Sequence, residues 1–292
     1  MALSDVVPRI DLHVHSTASD GTLSPAEVVA AAAQAGLDVV ALTDHDTLAG
    51  WDRAIAACPL GLTIVPGLEL SCAYAVSGQR PISVHLLGYL VDPDHPGLVA
   101  ELTRLRTERT RRGETIVERL VAAGFPITWG RVLELADGGS VGRPHVGRAL
   151  VEAGVVGSVD EAFVELLSAS SPFYAGKADI DAVAGVQLIS AAGGVAVFAH
   201  PAAGHRGRIV DEAGIAVLAE AGLKGIEVDH PDHLPMQRDR LRVLAGDLGL
   251  VVTGSSDFHG TNKVNRLGEC TTQPEAYEQL LATAWGSRPY PG

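Results

Sequence analysis

Two kinds of sequence pattern alternate along the first 90 residues, one typical of buried strands and one typical of helices. Mainly apolar runs, including Asp38–Thr43 and Ile82–Tyr89 with His85 at its centre, predict buried strands, because a strand covered on both faces has few polar positions. The segment SPAE at 24–27 has a capping-box pattern with proline at the first helical position, and Gly36 supplies a C-terminal stop. A helix over 25–35 therefore separates two strands, and the continuing alternation predicts parallel strands with helices outside.

Residues 46–72 are expected to continue this alternation. Asp46 stands where it would cap a helix over 47–57. The dipeptide Pro-Gly at 66–67 is a turn signal, so we predict two short strands around it, Leu62–Val65 and Leu68–Cys72.

The alternation stops near residue 96. A long, charge-rich helical stretch covers 97–123, and two helical segments follow near 142–153 and 159–168. We therefore predict a helical insertion domain at 97–177 that covers the active site, and a barrel domain made of 1–96 and 178–292. Five arginines of the long helix are predicted to form a solvated face: Arg104, Arg106, Arg109, Arg111 and Arg112.

Alternation resumes in the last third of the chain. The predicted helices cover about 180–192, 209–221, 235–247 and 274–285, and the predicted strands are Val195–Ala199, Gly225–Val228 and Leu250–Thr253. This repeat is typical of an α/β fold. A length of 292 residues suits one α/β barrel or two smaller domains.

Composition narrows the choice of compartment and partner. The chain is 47% hydrophobic, which supports a full core, and its net charge of −13 argues against binding long duplex nucleic acid. Three cysteines, at 58, 72 and 270, show no C-x-x-C spacing and suit a reducing compartment. We find no apolar targeting segment at residues 1–11 and no membrane-length apolar run, so we expect a cytoplasmic protein without a membrane partner.

Metal-competent side chains recur at or near the predicted strand ends. They are His13, His15, Asp44, His45, Glu69, His85, His200, Glu227, Asp229, His230, Asp257 and His259. A single histidine is more often structural than a ligand. In parallel α/β barrels, however, the carboxyl ends of all strands meet at one rim, so the recurrence predicts a shared metal site.

Six segments resemble the PHP family, named for polymerase and histidinol phosphatase. They are DLHVHS (11–16), TDHD (43–46), PGLELS (66–71), VHLLGY (84–89), FAHP (198–201) and SDFHG (256–260). The resemblance implies a distorted seven-stranded (β/α) barrel that holds two or three divalent metal ions. Ligands without thiolate suit Mn²⁺, our first choice, and also Fe²⁺ or Zn²⁺.

The same resemblance implies the ligand sets. One ion would lie on His13, His15, Glu69 and Asp257, a second on Glu69, His85 and His200, and a third on Asp20, His45 and His259. Asp20 stands where the histidinol-phosphatase branch has histidine, which separates this chain from that branch. Asp44 is expected to orient a histidine from behind.

The implied activity is hydrolysis of phosphate esters by a metal-activated hydroxide. The insert-bearing branch includes phosphatases for the 3′-phosphate of nucleoside 3′,5′-bisphosphates and 5′→3′ exonucleases for short RNA, so we expect a small phosphorylated nucleotide or a short 5′-phosphorylated oligoribonucleotide as substrate. Histidinol-phosphate phosphatase and a non-catalytic PHP binding module are the alternatives. Candidates for phosphate binding are Arg143, His145 and Lys177, and His230 and His233 are candidates for the general acid or for a substrate contact.

Overall fold

A computed structural model describes residues 7–292. Residues 1–6, which belong to the stretch where we found no targeting segment, lie outside the described residues. Within 7–292, the structure contains no helix with both the length and the apolar character needed to cross a membrane.

A nearly closed sheet forms the centre of the molecule. Its strands are β1 (Ile10–Val14), β2 (Val39–Leu42), β3 (Thr63–Tyr74), β4 (Ile82–Tyr89), β5 (Ile180–Asp181), β6 (Val195–Phe198), β7 (Gly225–Asp229), β8 (Val251–Gly254) and β9 (Tyr290–Pro291). Seven of them follow the order β1-β2-β3-β4-β6-β7-β8, while β5 and β9 are short strands that pair with β3. The His15 amide donates to the Phe258 carbonyl at 2.9 Å and brings the two edges together. The predicted α/β barrel of seven strands is confirmed.

The β3–β4 region differs from the sequence prediction. β4 runs antiparallel to both β3 and β6, so the expectation of parallel strands was wrong here. Residues 75–81 are too short for the helical crossover that a parallel connection requires. β3 is also one strand rather than two, because Pro66 keeps an extended backbone and its carbonyl accepts the Leu90 amide at 2.8 Å.

In the described part of the chain, ten α-helices surround or extend the sheet. They are α1 (Pro25–Gln34), α2 (Trp51–Ala56), α3 (Pro96–Ala122), α4 (Trp129–Ala136), α5 (Arg143–Glu152), α6 (Val159–Ala162), α7 (Ala182–Ala191), α8 (Glu212–Glu220), α9 (Pro235–Leu248) and α10 (Pro274–Leu281). The capping box of α1 forms as predicted, with Ser24 and Glu27 bonded to each other's backbone amides. The sequence prediction missed α4, and it placed the start of α2 four residues too early.

Helix α3 joins two hydrophobic cores. Its first half contributes Leu98, Leu102 and Leu105 to the large core shared with the barrel. Its second half contributes Ile116, Val117 and Leu120 to a separate core formed with α4, α5 and α6. We call the part of the chain from α3 to α6 the insert. This separation supports a helical insertion, whose limits at 97 and 177 stay a prediction.

Candidate metal centre

His13 and His15 start the site at the end of β1. Because alternate residues of a strand point to the same side, both rings turn inward, and their Nε2 atoms lie 3.0 Å apart. The Oδ1 atom of Asp257, just beyond β8, lies 3.4 Å from Nε2 of His13 and 3.5 Å from Nε2 of His15. All three side chains are buried.

Glu69 stands at the middle of the site, on β3. Its Oε1 atom lies 2.6 Å from Nδ1 of His85 and 2.9 Å from Nε2 of His200. Its Oε2 atom lies 3.0–3.2 Å from ring nitrogens of His13, His15 and His45. The two oxygens of one carboxylate therefore face two separate groups of imidazoles.

Asp20 organises a third group. Its Oδ1 atom lies 3.4 Å from Nε2 of His259 and 3.7 Å from Nδ1 of His15, and its Oδ2 atom lies 3.7 Å from Nε2 of His45. The sequence placed His15 in the first group alone, whereas the structure puts it between the first and the third. All nine side chains that we predicted as ligands thus meet at one rim of the barrel.

Several donor atoms in this cluster lack partners. Nδ1 of His45, Nε2 of His230 and Oδ1 of Asp257 are buried and form no hydrogen bond with any residue in 7–292. Buried polar atoms are costly when they stay unpaired, and lone pairs that face one another need a cation between them. Together with a donor set of imidazoles and carboxylates, these atoms fit divalent metal ions.

The pKa values of several of these residues favour the deprotonated forms that bind metal ions. Burial opposes ionisation of Glu69, but His45 and the other imidazoles around it hold its pKa well below the ordinary value. Burial and the charge of Arg206 lower the pKa of His200 to about 3, and burial with nearby His15 lowers the pKa of His259 to about 4. The carboxylate is therefore charged and these two rings are neutral near pH 7.

Two further carboxylates, of Glu227 and Asp44, position the histidines through hydrogen bonds. Oε1 of Glu227 lies 3.2 Å from Nδ1 of His13, and its Oε2 accepts the His200 amide at 2.7 Å. Asp44 accepts the hydroxyl of Ser19 at 2.6 Å, and that hydroxyl lies 3.4 Å from Nδ1 of His15. The sequence placed Glu227 among the metal-competent residues at strand ends but assigned it to no ion, and the structure puts it behind His13 and His200.

The two predicted acid candidates differ in their hydrogen bonds. Nδ1 of His230 accepts the Asp232 amide at 3.0 Å, which leaves the proton of the neutral ring on the unpaired Nε2. His233 uses both nitrogens on backbone groups, with Nδ1 2.9 Å from the Val228 carbonyl and Nε2 accepting the Ala202 amide at 3.2 Å. Of the two predicted residues, His230 alone thus has a ring nitrogen without a hydrogen bond to the residues in 7–292, and the role of each stays a prediction.

The predicted phosphate-binding residues lie in or beside the insert. Arg143 is largely buried, it donates to the Leu167 carbonyl at 2.9 Å, and no carboxylate within the described residues pairs with it. His145 uses Nδ1 to accept the Gly142 amide at 2.9 Å. Lys177 is paired with Asp179, and both side chains are mostly buried.

Arg143 has basic neighbours, and the insert also contacts the loop that carries Asp20. Arg109 and Arg112 line a small cavity together with Gly142 and Arg143. The Ser140 amide, two residues before Gly142, donates to the Ala18 carbonyl at 2.9 Å. The basic cavity therefore belongs to a part of the insert that is fastened beside the Asp20 group.

Two further predictions need correction. Asp46 caps no helix, because it has a positive φ of 54° and its carboxylate binds Ser71 and Arg109. Arg109 is not solvated but only 8% exposed, and Arg112 is largely covered by Tyr174 and the Ala175 carbonyl. The face of α3 that carries them points inward.

Comparison with known proteins agrees with this geometry. A family model described as the PHP domain matches residues 11–120. A 5′-3′ exoribonuclease of Haemophilus influenzae is 36% identical over 86% of this chain and 90% of its own length. A 3′,5′-nucleoside bisphosphate phosphatase of Chromobacterium violaceum is 34% identical over 88% and 90%. The solved structure of a Bifidobacterium adolescentis protein, assigned as a metal-dependent phosphoesterase, matches with a TM-score of 0.88 and 35% identity over 96% of this chain and 98% of that one.

Proposed function

Because this chain belongs to the PHP family of metal-dependent phosphoesterases, we propose that it removes the 3′-phosphate of nucleoside 3′,5′-bisphosphates or trims short 5′-phosphorylated oligoribonucleotides. The observation that carries the proposal is Glu69, whose two oxygens face two groups of imidazoles. A carboxylate in this position would hold one cation at each oxygen, and a pair of bound cations would supply the chemistry of phosphate-ester hydrolysis.

The proposed centre holds two or three divalent ions, with Mn²⁺ as the first choice. The residues that hold them are His13, His15, Glu69 and Asp257 for one ion, Glu69, His85 and His200 for a second, and Asp20, His45 and His259 for a third. Bound cations supply a nucleophile at neutral pH and neutralise charge on the phosphoryl oxygens. Three unpaired cysteines suit the reducing cytoplasm, where we place the reaction.

His230 assists departure of the leaving alcohol in the proposed reaction. The Asp232 amide keeps the proton of neutral His230 on Nε2. That atom lies 3.4 Å from Oδ2 of Asp257, at the edge of the metal cluster. Loss of this proton would leave an imidazolate, so Nε2–H donates a hydrogen bond to the leaving oxygen as negative charge develops there, and water supplies the proton that completes the alcohol.

Arg143 binds the phosphate that is not hydrolysed. Its largely buried guanidinium has a carbonyl as partner, so an incoming phosphate finds unused donors there. His145 holds its single ring proton on Nε2, because Nδ1 accepts the Gly142 amide, and Nε2 donates to the same phosphate. Lys177 adds positive charge, although its ammonium already binds Asp179.

A phosphate-release assay tests the proposal. Protein loaded with Mn²⁺ is given adenosine 3′,5′-bisphosphate, adenosine 3′-monophosphate, a 5′-phosphorylated trinucleotide or histidinol phosphate. We expect kcat/KM for the bisphosphate to exceed that for the 3′-monophosphate, and Arg143→Gln to remove most of the difference. Preferential turnover of histidinol phosphate would support the alternative phosphatase. A metal-loaded protein that hydrolyses none of the four would support a binding module.

A further inference from the structure

The two oxygens of Asp257 have different neighbours. Oδ1 faces the rings of His13 and His15, as described above. Oδ2 faces outward and contacts two cations, Nη2 of Arg206 at 2.7 Å and Nζ of Lys263 at 2.5 Å. Among the described residues, these are the only Lys or Arg groups paired with a carboxylate that we assign to the metals.

The two cations come from loops on either side of His230. Arg206 lies in the loop after β6, and Lys263 lies in the loop after β8. Arg206 also pairs with Asp232, in the loop after β7. The side chains of Arg206 and Lys263 are 29% and 26% exposed, whereas that of Asp257 is 1% exposed. They therefore form the solvent-facing border of the centre on this side.

Three residues at this border have donor atoms spaced as closely as those of a metal site. His230, Asp232 and Asp257 place one donor atom each within 4.8 Å of one another. A guanidinium and an ammonium already occupy the carboxylates of that group, so a fourth cation would meet two like charges at close range. The border suits an anion instead.

Charge balance supports an anion there. Arg206 and Lys263 carry two positive charges, opposed by Asp257 and Asp232. A cation bound at Oδ1 would neutralise part of the negative charge of Asp257. The positive charges of Arg206 and Lys263 would then be only partly balanced and would attract an anion. A phosphoryl group bound at the metal cluster would lie next to them.

We propose that Arg206 and Lys263 form a phosphoryl-binding pair that contacts non-bridging oxygens of the scissile group. The identity of that group as a phosphate ester rests on the proposed function. A guanidinium can bind two oxygens in parallel, and an ammonium adds a point charge. His230 lies 3.4 Å from the same Oδ2 atom, so the pair holds the phosphoryl group beside the proton donor. The pair is separate from Arg143, which lies in the insert and serves the second phosphate.

Binding of inorganic phosphate tests the pair without any turnover. The Mn²⁺-loaded protein is titrated with phosphate by calorimetry, and the bound Mn²⁺ is counted by mass spectrometry. We expect Arg206→Gln and Lys263→Gln each to weaken phosphate binding by about tenfold, at unchanged Mn²⁺ content, because each removes one charged hydrogen bond. Arg206→Lys keeps the charge and should recover part of the affinity. Arg240→Gln and Lys224→Gln, both at exposed positions, are the matched controls and should bind phosphate normally.

Two results would overturn the pair. One is unchanged phosphate affinity in both variants. The other is a loss of Mn²⁺ that parallels the loss of phosphate binding in both variants, since Arg206 and Lys263 would then only position Asp257. The nucleotide assay is independent of this test. If the protein hydrolyses no nucleotide but both variants lose phosphate affinity at full Mn²⁺ content, the proposed substrate fails and the pair stands.

Discussion

Arg109, on the insert helix α3, donates its Nε–H to the carboxylate of Asp46, the residue after His45. Ser71 completes the contact, because its hydroxyl donates to Asp46 at 2.8 Å and accepts from Nη2 of Arg109 at 2.7 Å. Ser71 lies two residues beyond Glu69 on β3. One buried ion pair thus fastens the insert to both segments that carry central ligands.

Removing one partner of this pair should destabilise the protein strongly. Arg109→Met leaves the Asp46 carboxylate, which is 0% exposed, without its cation. We expect the free energy of unfolding of the metal-free protein to fall by about 3 kcal/mol or more, measured in urea. Arg111→Met is the matched control two residues away, because Arg111 is 78% exposed and should change stability by less than about 0.5 kcal/mol. Equal effects of the two variants would contradict the structural role of the pair.

Arg109 also shows what sequence reasoning leaves open. The arginines of α3 occur at closely spaced positions, and nothing in the helix alone distinguishes buried Arg109 from exposed Arg111. The difference comes from Asp46, which lies 63 residues earlier in the chain. Asp46 itself was assigned as a helix cap because the local sequence allows that role. Its positive φ and inward carboxylate depend on contacts between distant segments.

Substitutions of His230 and His233 should have clearly different effects on kcat. His230→Asn removes the proton that Nε2 directs at the reacting group, so kcat should fall by about 10²–10⁴-fold. His233→Asn removes contacts to the Val228 carbonyl and the Ala202 amide and should mainly lower stability. Steady-state kinetics at matched Mn²⁺ content, with thermal unfolding in parallel, make the comparison.

The leaving group provides a control for the role of His230. An aryl phosphate has a leaving group that needs little protonation, so a general acid contributes less to its hydrolysis. The His230→Asn variant should therefore lose much less activity on p-nitrophenyl phosphate than on a nucleoside 3′-phosphate. A similar loss on both substrates would mean that His230 acts in positioning rather than as a donor to the leaving oxygen.

Metal binding should release protons. Burial would lower the pKa of His15, but the carboxylates of Asp257 and Glu69 raise it to about 9. The metal-free protein thus keeps this ring protonated at pH 7, and a bound cation must displace the proton. The apparent affinity for Mn²⁺ should rise from about pH 6 to about pH 9, by roughly tenfold per pH unit for each proton displaced. Calorimetry in two buffers of different ionisation enthalpy counts the protons, and a count of zero at pH 7.5 would contradict the raised pKa.

The same raised pKa affects the stability of the metal-free protein. The charged ring gains favourable contacts on folding, so its contribution is complete below the ordinary pKa of 6.5 and is lost as the pH rises through about 9. Metal removal should therefore make the protein more sensitive to alkaline pH, and Mn²⁺ should reduce that sensitivity. Urea unfolding at pH 6.5 and 9.5, with and without Mn²⁺, measures the difference.

The clustering of the candidate ligands could be predicted from the sequence better than the surroundings of that cluster. All nine assigned ligands converge, because short strand-end motifs such as DLHVHS fix both the residue type and the rim on which it lies. Arg206 and Lys263 were missed, because they stand in loops without regular spacing among 22 Lys and Arg residues in the chain. Whether a loop cation points into a site is decided by the loop conformation, and no periodic pattern records that conformation.

The contact between the insert and the Asp20 loop can be tested at a glycine. A Cβ atom on Gly139 would lie 2.5 Å from the Thr17 carbonyl oxygen and 3.0 Å from that of Ala18, so only the lack of a side chain lets the two segments meet. The φ angle of Gly139 is not in the left-handed region, so space alone excludes alanine. Gly139→Ala should therefore push the insert away from the loop and destabilise the protein by about 1–3 kcal/mol.

Gly130→Ala is the matched control for this prediction. Gly130 lies on α4 with open space around its Cα, so alanine there should be neutral or stabilising by up to about 1 kcal/mol. Because Asp20 follows Thr17 by three residues, a displaced loop also weakens the third ion, and the Gly139→Ala protein should bind fewer Mn²⁺ ions than the Gly130→Ala protein in a titration followed by mass spectrometry. If the two variants unfold at the same urea concentration and bind the same number of ions, the insert does not hold the Asp20 loop in place.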